Sequence, residues 1–68
     1  MNEEAFNISV RKFLKKVGIG SQHDIEQAVY KAIEEGRLKG SETLPVRMTL
    51  EVGELDLKVD FDGRIELE

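Results

Sequence analysis

The sequence predicts an α+β fold: two N-terminal helices packed on one face of a three-stranded antiparallel meander (ααβββ), in two layers. Three observations predict it. Apolar residues recur at helical spacing from Phe6 to Val17 and again from Ile25 to Ile33. From Leu44 to Leu67 they alternate with polar residues at period two. Glycines fall where such elements would stop, at Gly18, Gly20, Gly36, Gly53 and Gly63. Two amphipathic helices need a common apolar cover, and a meander with one apolar face supplies it. The 68 residues form a single domain, 1–68, on this reading. A chain this short buries only about 60% of its unfolded surface, so its stability is marginal unless it associates.

The first helix is expected over 3–17. Asn2 is its N-cap, and Glu3 and Glu4 suit the positive end of the helix dipole. Phe6, Val10, Phe13, Leu14 and Val17 form one apolar stripe. Arg11, Lys12, Lys15 and Lys16 cover another side, late in the helix, where the dipole favours cations. Ile8 falls off the stripe beside Arg11 and Lys15; it is either a lone exposed residue or part of a contact surface. Gly18-Ile19-Gly20 is expected to end the helix.

The second helix is expected over 22–35. Ser21 is its cap, with Asp24 three residues on as a weaker form of the capping-box acid. Ile25, Ala28, Val29, Ala32 and Ile33 give its buried stripe, and Gly36 closes it. Its outer face carries His23, Glu26, Gln27, Tyr30 and Glu34.

Strands are expected over 45–52, 55–60 and 64–67. A two-residue loop at Gly53-Glu54 would pair Val52 with Leu55, Leu50 with Leu57 and Met48 with Val59. That register sets Glu51 against Asp56, a mildly unfavourable pair. Asp62-Gly63 signals a second turn. A two-residue loop there would throw Ile65 and Leu67 onto the polar face. A three-residue loop, Phe61-Asp62-Gly63, with Gly63 left-handed in a bulge, is therefore preferred. It pairs Asp60 with Arg64 and Lys58 with Glu66. Pro45 belongs at the start of an edge strand.

Composition excludes several chemistries. There is no cysteine, which removes disulfides and cysteine-ligated metals and suits a reducing cytoplasm. No apolar run approaches the roughly 20 residues that span a membrane, and nothing resembles a signal peptide. The net charge of -4 argues against a strongly electrostatic nucleic-acid binder, although local patches weigh more than the total. His23 is the only histidine. The order Ser21, His23, Asp24 invites a catalytic reading, but these side chains diverge at a helix start and capping already explains two of them. His23 with Gln27 offers one good metal ligand and one poor one. Gly18-Ile19-Gly20 lacks the preceding strand and third glycine of a phosphate-binding loop. The acids Glu51, Glu54 and Asp56 at the first hairpin tip read as a solvated turn or, as the functional alternative, a site for a basic partner or a weakly held divalent cation. No catalytic, metal or cofactor site is expected, and no cofactor.

Taken together, FNISVRKFLKKVGIGSQHDIEQAV, GRLKGSETLPVRMTLEV and the closing GRIEL resemble a family of short bacterial proteins, about 65–70 residues long, of unknown function. The resemblance spans Phe6 to Leu67. It implies a bacterial cytoplasmic protein and brings no site residue with it.

The function expected is that of a small non-enzymatic interaction module, with homodimerisation through a strand edge as one option. The partner is an unknown protein or a second copy, with no membrane involved. The expected surface is Ile8, Arg11, Lys12, Lys15 and Lys16. The alternative is a nucleic-acid binder with a helix-turn-helix-like pair and a hairpin wing. Against it, Glu26, Glu34 and Glu35 would repel phosphates from the second helix.

Overall fold

The structure, a computed structural model, describes all residues from Met1 to Glu68. Its elements are one helix, α1 (Glu3–Glu34), then β1 (Thr43–Val52), a single 3-10 turn (Gly53–Leu55) and β2 (Leu57–Glu66). The α+β composition stands, but the ααβββ arrangement is overturned: there is one helix instead of two and a two-stranded hairpin instead of a meander. The chain divides into two compact units, Met1–Arg37 and Leu38–Glu68.

In the first unit, Asn2 caps α1 as expected. Its side-chain oxygen accepts the Ala5 amide at 3.0 Å, and Glu3 and Glu4 occupy the first turn. The helix then runs through Gly18-Ile19-Gly20 without a break. Each glycine costs about 1 kcal/mol relative to alanine. Stopping there would instead leave the last four carbonyls of one helix and the first four amides of the next without partners. Neither Gly18 nor Gly20 takes the positive φ of a helix-ending glycine. Ser21 is consequently an interior residue and caps nothing.

The true end is at Gly36, where φ is +80°. The Gly36 amide donates to the Ile33 carbonyl at 3.0 Å and the Arg37 amide to the Ala32 carbonyl at 2.8 Å. This pair of bonds is a Schellman closure. Along the helix Val17, Ser21, Ile25 and Val29 form a half-buried row at four-residue spacing. Ala32, at 6% exposure, is the one buried residue of the chain.

In the second unit, β1 and β2 form a ten-pair antiparallel ladder from Thr43↔Glu66 to Val52↔Leu57. One face carries the pairs Leu44/Ile65, Val46/Gly63, Met48/Phe61, Leu50/Val59 and Val52/Leu57. The other carries Thr43/Glu66, Pro45/Arg64, Arg47/Asp62, Thr49/Asp60 and Glu51/Lys58. Arg47 Nε meets Asp62 Oδ1 at 2.7 Å, and the Thr49 hydroxyl donates to Asp60 Oδ1 at 2.7 Å. Compared with the expected register, the strands have slid by two residues. Such a slide keeps every side chain on its face, so alternation alone cannot detect it. The polar pairs decide it, because the slide replaces the Glu51–Asp56 clash with Glu51 opposite Lys58.

The loop is correspondingly longer than Gly53-Glu54. The Asp56 amide donates to the Gly53 carbonyl at 3.2 Å, and Asp56 is left-handed at φ 51°, a conformation aspartate tolerates better than most residues. The second turn does not exist. β2 passes straight through Asp62-Gly63, where Gly63 faces Val46 with no positive φ. The expected Asp60–Arg64 and Lys58–Glu66 pairs are therefore not made. Pro45 is the third residue of β1 rather than its first. Counting the ladder back from the Leu67 amide bonded to the Glu42 carbonyl at 3.0 Å, Pro45 falls at a non-hydrogen-bonded position, with its nitrogen directed away from β2.

At the open end of the hairpin the Glu42 carboxylate collects three consecutive backbone amides, those of Lys39 (2.8 Å), Gly40 (2.9 Å) and Ser41 (3.1 Å). These bonds favour the charged form. They hold its pKa below the ordinary glutamate value, the Lys39 amide contributing most and the Gly40 amide next.

Candidate interaction surface

The helix places the expected contact residues by simple geometry. Each residue advances about 100° around the axis and 1.5 Å along it. Ile8, Lys12, Lys15 and Ile19, at spacings of four, three and four, share one face. Lys16 borders that face on one side, and Arg11 borders it on the other, towards the half-buried row. The five expected residues thus form a patch, of which Ile8, Lys12 and Lys15 are the centre. All five are exposed, and none of the four cations is ion-paired within the helix.

What the sequence reading missed is how far this face continues. Ile8, Ile19 and Tyr30 recur at eleven-residue intervals. Eleven residues make about three turns, with a drift of only about 20°. The three therefore lie nearly in line on one helix, at 45%, 62% and 63% exposure. Ile33, also exposed, lies beside Tyr30. The flanks of this line change character along the helix. They carry Lys12, Lys15 and Lys16 in the N-terminal half and Gln22, His23, Glu26 and Glu34 in the C-terminal half. The signal was the eleven-residue spacing. Cutting the helix at Gly18–Gly20 hid it, leaving Ile8 isolated, Ile19 in a linker and Tyr30 on a different element.

The other candidates separate. Ser21 and His23 lie about 200° apart around the helix axis, on nearly opposite sides, so no Ser-His-Asp constellation assembles. No three His, Cys, Asp or Glu side chains converge as a metal site would require. An unbroken α1 has neither the turn nor the second helix of a helix-turn-helix, which removes the structural basis of the nucleic-acid alternative. A shallow depression of about 220 Å³ lies beside Pro45, Val46, Arg47 and Asp62, but its charged groups already satisfy one another across the ladder. No helix is long and apolar enough to cross a membrane.

A family model described as a family of unknown function, DUF6494, matches residues 1–68. The chain belongs to the DUF6494 family. No curated protein and no solved structure matches it. Membership agrees with the resemblance read from the sequence and assigns no activity to a DUF6494 protein. The exposed line on α1 must therefore be interpreted from its own chemistry.

Proposed function

We propose that this protein is a non-catalytic interaction module that works by presenting the Ile8–Ile19–Tyr30 face of α1 to another polypeptide. The observation that carries the reading is the Ile8–Ile19–Tyr30 line, exposed along about 33 Å of helix and edged by cations free of ion pairs within it. Scattered apolar residues on a surface need no explanation, but an aligned set with a charged border is the form a contact surface takes. Aromatic and arginine side chains supply much of the energy at such surfaces, and Tyr30 and Arg11 are placed to do so. On this reading the protein acts in a reducing bacterial cytoplasm, which its cysteine-free composition suits.

Photo-crosslinking side chains at Ile8, at Ile19 and, as a control, at Lys39 test the proposal in the cell that makes the protein. Adducts are expected from the two helix positions and not from Lys39, and they should disappear when Arg11→Glu and Lys15→Glu are combined. Absence of adducts from both helix positions would overturn the proposal.

A further inference from the structure

We propose that the polypeptide met by this face is a second copy of the chain, with the two α1 helices antiparallel about a two-fold axis at Ile19. This deepens the reading above and rests on it. In a two-fold interface residue i meets residue j and residue j meets residue i, so the face must match itself when reversed about its centre. It does. Ile8 and Tyr30 lie eleven residues either side of Ile19, and Ile19 meets its own counterpart. Lys12 and Glu26 lie seven residues either side, so each copy's lysine meets the other copy's glutamate, twice. With azimuth as well as level counted, Lys15 comes beside the other copy's Gln22 and Lys16 beside its His23, and Ala5 comes to the level of Ile33. Glu4 and Glu34, the like charges that reverse to one level, lie on opposite flanks at the exposed ends, where solvent and salt screen them.

Direction follows from the same charges. A parallel pair in register would set Lys12, Lys15 and Lys16 against their own copies, which is repulsive. The antiparallel pair sets the cationic half of one helix on the half that carries Glu26 in the other. A helix-on-helix contact of this length lies at the small end of specific interfaces, so the dimer forms and dissociates with concentration.

The absence of cysteine makes the geometry directly testable. Three single-cysteine chains, Ile8→Cys, Ile19→Cys and Tyr30→Cys, are treated with a short thiol crosslinker, with circular dichroism confirming that each stays helical. Ile19→Cys should give covalent dimer alone. Ile8→Cys and Tyr30→Cys should give little alone and roughly tenfold more when mixed. Sedimentation equilibrium of Lys12→Glu and of Glu26→Lys should each show dimerisation weakened roughly tenfold, and an equimolar mixture of the two should recover it as a heterodimer. Self-crosslinking of Ile8→Cys as fast as the mixture would mean a parallel pair and overturn the proposal, as would a chain that sediments as a monomer at every concentration. The two readings fail differently: photo-adducts to another protein from a monomeric chain end the homodimer and leave the interaction module, whereas no adducts at all end both.

Discussion

The hairpin and the helix distribute their apolar residues differently. In the hairpin each paired apolar residue, from Leu44/Ile65 to Val52/Leu57, lies on one face, and the opposite face is tied by Arg47–Asp62 and Thr49–Asp60. In α1 the apolar residues fall in two places. The stripe of Phe6, Val10, Phe13 and Leu14, itself exposed at 52%, 41%, 54% and 56%, leads into the half-buried row from Val17 to Val29, and the Ile8–Ile19–Tyr30 line runs down a separate face. A fold requires one apolar face from each element. Along its ladder the hairpin has no more than that, with Leu55 in the turn 70% exposed, and the helix has a second face. The lesson is that function in this chain is to be sought where apolar surface exceeds what its own element needs.

The comparison depends on α1 being one uninterrupted rod, and the largest predicted effect tests this. Gly20→Pro removes an interior hydrogen bond and clashes with the preceding turn, so it should destabilise the helical unit by about 3 kcal/mol and sharply reduce helical ellipticity. If Gly18–Gly20 were a linker, the change would be tolerated. Next in size, Gly18→Ala combined with Gly20→Ala should stabilise the unit by about 2 kcal/mol in thermal unfolding, because an added Cβ at either position meets open space. On the hairpin side Gly63→Val should stabilise by up to about 1 kcal/mol in denaturant titration. The new Cβ would sit 3.6 Å from Val46 Cγ1, an ordinary contact, in an extended strand that favours valine. A left-handed Gly63 would make the same change costly.

The smallest effect concerns Glu42. Its pKa is depressed in the folded chain, so the stability it contributes is fully present above the unfolded-state value. That contribution is lost as pH falls through the lower folded value. In an NMR pH titration the Lys39, Gly40 and Ser41 amides should shift together, with a midpoint below that of an ordinary glutamate. Glu42→Gln should abolish that step.

The caps and periodicities of this chain were legible in its sequence: Asn2 at the start of the helix, Gly36 at its end, and alternation from Leu44 onward. Two expectations fail where a glycine signal competes with a periodic pattern. Gly-Ile-Gly followed by serine imitates a helix stop and restart, yet the Val17, Ser21, Ile25, Val29 row continues across it. Asp62-Gly63 imitates a hairpin turn, yet Leu57, Val59, Phe61, Ile65 and Leu67 keep step on either side. A local propensity worth about 1 kcal/mol loses to a ladder that would forfeit several hydrogen bonds by stopping. The two-residue register slide was illegible for another reason: it leaves the faces unchanged and shows only in which charges meet. Of the candidate surface, Ile8 and the four cations were visible, whereas Ile19 and Tyr30 emerged only once the helix was continuous.

An unbroken helix also acts as a ruler with a phase. One residue inserted between Ile8 and Tyr30 would turn everything beyond it by about 100° and dissolve the line, whereas eleven inserted together would lengthen the line and keep it. In the hairpin a single insertion would exchange the two faces. Changes of chain length are therefore admissible chiefly around Leu38, between the Gly36 closure and the amides gathered by Glu42, where no periodic pattern has to be kept in step.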